Sequence, residues 1–343
     1  MSDFIHLTNK TEYSLSEGAL PIARLSELCQ AFKMPAVGIT DTNNMFGALE
    51  FSEKVSSVGV QPIIGCNLKI KTPKNYLHDN IEEEDLHFFL NIFSKHEVGY
   101  KNLLNIISRA YMNHKENAYV DIEQLYKNKE GLLVLSGGNN SILKYSNGNN
   151  ITSQSASFVT DFKNEFIDNF YIEIQRIEGN DYRIDEEVIL NLAYDNNIPI
   201  VATNDVYFEG PDHFEAHDAL MCIEKKLFVS QKDRKRLSKN HYFKSQNEMQ
   251  ELFSDIPEAL FNTIEIAQRC SHRPKIKMPV LPSYHNDDNQ EKKLLRDLSH
   301  QGLEQNLAQK FMSEQIDNNS QLNIKKKYED RLEKELKIII DMK

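Results

Sequence analysis

Seven short runs rich in β-branched and aromatic residues recur between Phe4 and Thr203: FIHLT, AVGIT, PIIGCNLKI, LHFFLNIF, GLLVLS, FYIEIQ and IPIVAT. Between them lie stretches whose apolar residues repeat at helical spacing, such as PIARLSELCQAFK and VGYKNLLNIISRAY. Short apolar runs bounded by turn residues read as buried strands, and the 3.6-residue period reads as amphipathic helix. Strict alternation of the two leaves few solutions. The expectation is an α/β chain of strand-helix units on a parallel sheet, either open or closed into a barrel.

The remainder divides by composition. Asn, Ser and Gly crowd residues 139–155, which read as a surface loop. Residues 211–273 read as helical, and PKIKMPVLPSYHNDDN at 274–289, with three prolines and no period, reads as an extended linker. Beyond it, EKKLLRDLSHQGLEQNLAQKF and YEDRLEKELKIIIDMK read as two amphipathic helices within 290–343. Leu332, Leu336, Ile339 and Ile340 form an apolar stripe that needs a surface to bury against, so more chain is expected after Lys343.

Charge and cysteine usage narrow the classes further. The 343 residues carry a formal net charge of -11, so a nucleic-acid footprint over the whole surface is not expected. Cys29, Cys66, Cys222 and Cys270 show no CxxC and no zinc-finger spacing, and read as reduced, mostly buried thiols. No basic-plus-apolar leader and no apolar run of about 20 residues is present, which reads as a cytoplasmic chain without membrane contact. One local exception to the acidity is QKDRKRLSKNHYFK at 231–244. Its Lys232, Arg234, Lys235, Arg236, Lys239 and Lys244 face a single acid, Asp233, and read as either a site for phosphates or an acidic partner, or a solvated loop. His217, in EAHDALMCI, reads as a packing residue rather than a ligand.

In parallel α/β folds the reactive groups gather where strands end. Those positions hold Thr8, Lys10 and Glu17, then Asp41 and Thr42, Asn67, His87, Gly138, and finally Asn204, Asp205 and Tyr207. A di- or trinuclear site for phosphate-ester hydrolysis needs several imidazoles and a bridging carboxylate. Here there is one histidine and three carboxylates. Lys10 argues the same way: two unit charges at about 4 Å in a medium of effective dielectric near 20 interact by roughly 4 kcal/mol, and a divalent cation doubles that as repulsion. The ammonium either neutralises Glu17, Asp41 or Asp205, or points into water.

Several stretches in fixed order carry a resemblance: FIHLTNKTEYSLSEGAL, AVGITDTNNMFGALEF, QPIIGCNLKI, GYKNLLNIISRAY, IPIVATNDVYF, EAHDALMCI and PEALFNTIEIAQRC. They resemble the PHP (polymerase and histidinol phosphatase) domain as it stands at the N-terminus of bacterial replicative polymerases, the DNA polymerase III alpha subunits. The resemblance implies a distorted (β/α)7 barrel over 1–273, a linker over 274–289, and the helical start of a polymerase core over 290–343. It also implies nine metal-ligand positions. The family's His-x-His falls on Thr8 and Lys10, and its following Asp on Glu17. Its further ligands fall on Thr42, Asn67, His87, Gly138, Asp205 and Tyr207. Six of the nine are replaced, so the resemblance implies a degenerate site with no catalytic residue and no metal in this chain.

With the barrel inactive, the resemblance implies a scaffold that docks a separate proofreading exonuclease subunit and other replicative polymerase subunits, with DNA reached through the parent polymerase. Nucleotidyl transfer, with Mg2+, would belong to a palm absent here, since no Asp-x-Asp pair is set in a strand. A metal-dependent phosphoesterase is the alternative reading, and a free-standing adaptor a third.

Overall fold

The computed structural model describes residues 4–73, 87–114, 118–138, 141, 143, 151–177, 185–231, 233, 234, 236–279, 284, 287–314 and 317–342. They form two compact units, Met1–Ile276 and Lys277–Lys343.

In the first unit six strands form one sheet in sequence order: β1 Ala36–Ile39, β2 Gln61–Lys71, β3 His87–Ser94, β4 Leu132–Leu135, β5 Phe170–Gln175 and β6 Ile200–Thr203. Around it lie α1 Ile22–Ala31, α2 Ala48–Ser57, α3 Glu97–Asn113, α4 Ile122–Lys127, α5 Ser153–Phe166, α6 Glu186–Asp195, α7 Phe214–Lys225, α8 Gln246–Leu252 and α9 Pro257–Arg269. The pairs β1–β2, β4–β5 and β5–β6 are parallel, as expected. Strand β3, in contrast, runs antiparallel to both of its neighbours. A parallel neighbour needs a crossover helix, and KTPKNYLHDNIEEED, between β2 and β3, carries no apolar period to build one.

The expected first strand, FIHLT, is not a regular strand but an extended segment that joins the two sheet edges. Gly38 N–H donates to His6 O (2.8 Å) and Thr40 N–H to Asn9 O (2.9 Å) on the β1 side. Val206 N–H donates to Thr8 O (3.0 Å) and Lys10 N–H to Val206 O (2.8 Å) just past β6. Segment 4–10 thus stands as a seventh stave and closes a distorted barrel. The approach is close: a Cβ on Gly38 would lie 2.3 Å from Leu7 O.

Alternation along the strands sorts the barrel interior into two zones. At one end Ile5, Leu7, Ile63, Phe93, Leu133, Tyr171 and Val201 pack with Ile266 and Ala267 of α9 and with Cys270 just after it, which plug that end. Two and four residues further along the parallel strands, the same inward phase carries Asn67 on β2, Glu173 and Gln175 on β5, and Thr203 on β6, joined by Asn91 of β3. The polar mouth therefore opens at the carboxyl ends of the parallel strands. A larger apolar core lies between the outer sheet face and the helices, including Phe51, Phe88, Phe158 and Phe162.

The loop expected over 139–155 lies largely outside the described residues. Its last residues are helical, because Thr152 caps α5, its side chain accepting from Ser155 N–H (3.1 Å). All four cysteines are free and buried. In the second unit α10 Asp288–Glu314 and α11 Asn318–Met342 pair, with Arg296 and His300 both meeting Glu333 and with Leu307 and Leu336 buried. Among the described residues no helix is long and apolar enough to cross a membrane.

Candidate functional site

The chain turns sharply after segment 4–10, and Asp41 holds the turn together. Its carboxylate accepts from Thr11 N–H (2.7 Å), Thr11 Oγ1 (2.8 Å) and Ser14 Oγ (2.6 Å). Burial pushes the Asp41 carboxyl above the usual carboxylate range, while these donors and the Lys10 ammonium pull it back. Lys10 is only 3 % exposed, which rules out an ammonium in water. Its Nζ donates to Thr40 O (2.9 Å), in the barrel wall beside Asp41, and no carboxylate bond to it is recorded among the described residues. Of the three carboxylates expected around Lys10, the charge coupling falls on Asp41.

The other expected positions are engaged one by one. Thr8 Oγ1 accepts from Asp205 N–H (3.3 Å), where Asp205 adopts a φ of +48°. Thr42 Oγ1 donates to Glu17 Oε2 (2.5 Å), and Glu17 O accepts from His217 Nε2 (2.7 Å). Asn67 Nδ2 donates to Asn91 Oδ1 (2.8 Å), its cross-strand partner. The Tyr207 hydroxyl is raised well above its ordinary range by burial, by the Asp205 and Glu17 charges and by its hydrogen bond to Asp205. Gly138, at φ +53°, sits against the Gln175 side chain, which a Cβ would meet at 2.4 Å. His87 stands apart, four residues along β3 from Asn91, opposite Lys71 and with its ring 5.0 Å from that of Tyr119.

Glu17, Thr42, Asn67 and Tyr207 line one side of a cleft of about 220 Å³ at the mouth. Met221, Lys225, Arg236 and Leu237 line the other. The residues present do not fit a metal cluster. The carboxylates there are engaged, Asp41 by Thr11 and Ser14 and Glu173 by its four donors, His87 is distant, Lys10 puts a positive charge in the wall, and the Thr and Asn side chains already have partners. Among the described residues no group of three or more His, Cys, Asp or Glu is placed to share a cation.

The strongest polar feature of the mouth was not anticipated. Glu173, fully buried on β5, accepts from Thr203 Oγ1 (2.5 Å), Gln175 Nε2 (2.9 Å), Asn91 Nδ2 (2.9 Å) and Gly137 N–H (3.1 Å). Burial raises its carboxyl, and these donors oppose the shift. A second belt runs below segment 4–10. There Lys244 Nζ donates to Asn204 Oδ1 (2.8 Å), and His6 Nε2 donates to Lys244 O (2.7 Å). Burial lowers the Lys244 ammonium to about 8 and the His6 imidazole to about 3.

Among the described residues of the basic stretch at 231–244, Gln231, Asp233, Arg236 and Lys239 are exposed, while Arg234 is tied down. The Arg234 guanidinium grips Asp218, with Nη2 2.5 Å from Oδ2, and both side chains are buried. This guanidinium holds the Asp218 carboxyl below the usual range. Arg236 reaches Asp218 (3.1 Å) and Glu215 (3.4 Å) and stacks 4.9 Å over Phe214. His217, as expected, is a packing residue, set edge-on to Tyr207.

A closed α/β barrel with a polar mouth at its strand ends is the architecture of the PHP domain. The chain belongs to the PHP domain family, whose model matches residues 6–177. Within that family it is an N-terminal PHP region of the kind found in DNA polymerase III subunit alpha. It is 36 % identical over 303 residues to that subunit from Caulobacter vibrioides, covering 88 % of this chain and 26 % of the relative. It is 35 % identical over 343 residues to the Rickettsia bellii subunit and 32 % identical over 341 residues to the Haemophilus influenzae subunit, each covering 99 % of this chain and 28 % of the relative. The chain thus spans little more than a quarter of the length of these relatives. A solved two-domain protein of Bacteroides vulgatus, described as containing a PHP-like metal-dependent phosphoesterase, superimposes with a TM-score of 0.36 and 11 % identity over 76 % of this chain and 62 % of that one. That likeness is too slight to carry an argument.

Proposed function

We propose that this chain is the N-terminal part of a replicative polymerase alpha subunit in which the PHP barrel is a non-catalytic scaffold, docking the proofreading exonuclease subunit and working in the cytoplasm. Template-directed synthesis, DNA contact and Mg2+ belong in this reading to the palm of the longer polypeptide. The observation that carries the reading is Lys10. An ammonium 3 % exposed, bonded to Thr40 O and coupled to Asp41, occupies the wall where cations would have to sit. Thr8, Thr42 and Asn67 offer no free donor in compensation.

The test is elemental analysis of the purified chain together with turnover of an aryl phosphate. Substoichiometric zinc, manganese and iron with no turnover is the expected result. Stoichiometric metal whose removal by chelator abolishes turnover would sink the reading and install a phosphoesterase in its place. The docking half is checked separately by size-exclusion chromatography with the exonuclease subunit of the same organism, where a 1:1 complex is expected and two separate peaks would remove it.

A further inference from the structure

Helix α7 buries one stripe against the barrel, made by Phe214, His217, Asp218 and Cys222. Its last turn leaves Ile223 73 % exposed, and the loop after it exposes Phe228 to 73 % and Val229 to 53 %, with Leu227 beside them. The turn that presents them is fixed. Lys226 takes a left-handed conformation at φ +55°, and Leu227 N–H returns to Cys222 O (2.9 Å). Phe228 N–H is tied to Gln231 Oε1 (2.7 Å). Four exposed apolar side chains within seven residues, presented by a closed turn, make a local apolar patch, a feature that marks interaction sites.

The patch carries exposed cations. Lys225 and Lys226, both exposed, stand beside Glu224 in a chain whose net charge is -11. Lys225 and Lys226 lie inside the patch. Lys225 also lines the mouth cleft with Met221 and Leu237, so the patch borders a concavity.

We propose that this surface docks a separate protein through an acidic amphipathic segment, whose apolar anchors cover Ile223 and Phe228 and whose Asp and Glu side chains meet Lys225 and Lys226. Nucleic acid is disfavoured, because Arg234 and Arg236 are already consumed by Asp218 and Glu215, and solvent-facing aliphatic side chains offer nothing to phosphate. A second copy of the chain is disfavoured too. A two-fold contact centred here would bring Lys225 and Lys226 against their own images. Exposed charge interleaved with a small apolar surface is the anatomy of a reversible contact rather than of a surface permanently covered by its own polypeptide. The proposal depends neither on the identity of the partner nor on the inactivity of the barrel.

The experiment is a selection of peptides of about 12 residues, long enough to present i, i+3, i+4 and i+7 anchors, from a random phage-displayed library against the full chain. Selected peptides are then measured by fluorescence anisotropy on the chain and on two variants, Phe228→Ser and Lys225→Glu with Lys226→Glu. The expected consensus is aliphatic or aromatic anchors flanked by Asp and Glu. Phe228→Ser should weaken binding roughly 10- to 30-fold, as loss of a central anchor does. The charge-reversal variant should weaken it further as salt is lowered from about 0.3 to about 0.05 M, where screening is least. All the altered side chains lie at the surface, so unchanged thermal midpoints confirm that the fold is intact. Peptides that are basic, or that bind Phe228→Ser as well as the native chain, overturn the proposal. So does a dimer of the native chain that Phe228→Ser dissociates, or loss of peptide binding once the chain is part of its longer polypeptide.

Discussion

Replacing Lys10 by Met keeps the length of the side chain and removes the ammonium. Two consequences follow from the geometry. Thr40 O, buried in the barrel wall, loses the donor at 2.9 Å, and an unpaired buried acceptor costs about 1–3 kcal/mol. Asp41 loses a neighbouring positive charge while keeping its three donors from Thr11 and Ser14, so the electrostatic part falls below the roughly 3–5 kcal/mol of a fully broken buried pair. Together the loss near neutral pH is about 2–4 kcal/mol, a fall of roughly 5–10 °C in the thermal midpoint for a domain of this size.

The pH dependence makes the test specific. The Asp41 carboxyl is already raised in the folded state by burial, and Lys10 lowers it. Without Lys10 it rises further. A carboxyl raised on folding binds more protons in the native state than in the unfolded one, so stability is lost as pH climbs from the unfolded value through the folded value. In Lys10→Met that loss should be larger and extend to higher pH. The deficit against the native chain should therefore be smaller near pH 5, where the unpaired Thr40 O contributes most of it, than near pH 8, where the unscreened Asp41 charge adds to it. The chain has no tryptophan, so urea unfolding is followed by circular dichroism or tyrosine emission. A deficit that is equal at both pH values, or below about 0.5 kcal/mol at the higher one, refutes the assignment of Lys10 as the internal counter-charge of Asp41.

Three further outcomes are expected. Gly38→Ala should destabilise by about 3 kcal/mol, because its Cβ meets Leu7 O at 2.3 Å and forces the closing segment outward; Gly302→Ala, with open space around it, should not, and equal urea midpoints for the two variants would refute the closure. His6, lowered by burial to about 3, stays neutral in the folded state while the unfolded chain takes up a proton below about 6.5. Stability should then fall by about 1.4 kcal/mol for each pH unit as pH drops through that window, and His6→Gln, which keeps a donor toward Lys244 O, should be shallower by about one proton in urea midpoints taken against pH. Burial pushes the Cys29 and Cys270 thiols up to about 12 and raises Cys66, so a disulfide reagent should titrate these thiols only after unfolding; rapid native-state reaction at more than the remaining Cys222 would contradict their burial.

Most of the scaffold was legible in the residues because it is local. The runs AVGI, LLVL, FYIEIQ and IVAT are strands for reasons contained in four to six residues. What pairs with what was less so. FIHLT looks like any other strand, and its role as a stave between β1 and Val206 rests on contacts about 200 residues apart. The direction of β3 is likewise invisible in LHFFLNIF, whose side-chain alternation is the same either way. At the mouth, Lys10 stood out as a charge in the wrong place, but its bond to a backbone carbonyl could not be read, since carbonyls leave no mark on a sequence. Glu173 was overlooked for the opposite reason. In FYIEIQ a glutamate between two isoleucines matches a half-exposed strand, and only the closed barrel turns that face inward. Arg234 and Arg236 looked available because their acids, Asp218 and Glu215, lie a helix away.

Closure by segment 4–10 also sets an order of events during synthesis. At roughly 5–20 residues per second, Val206 leaves the ribosome about 10–40 seconds after Thr8. The N-terminal stave can find β1 early, but its second edge stays unsatisfied until nearly the whole barrel has emerged. A nascent chain of this kind carries an open strand edge through most of the barrel's translation, and the ammonium of Lys10 travels with it, a charge on an edge that would otherwise invite pairing with a neighbouring chain.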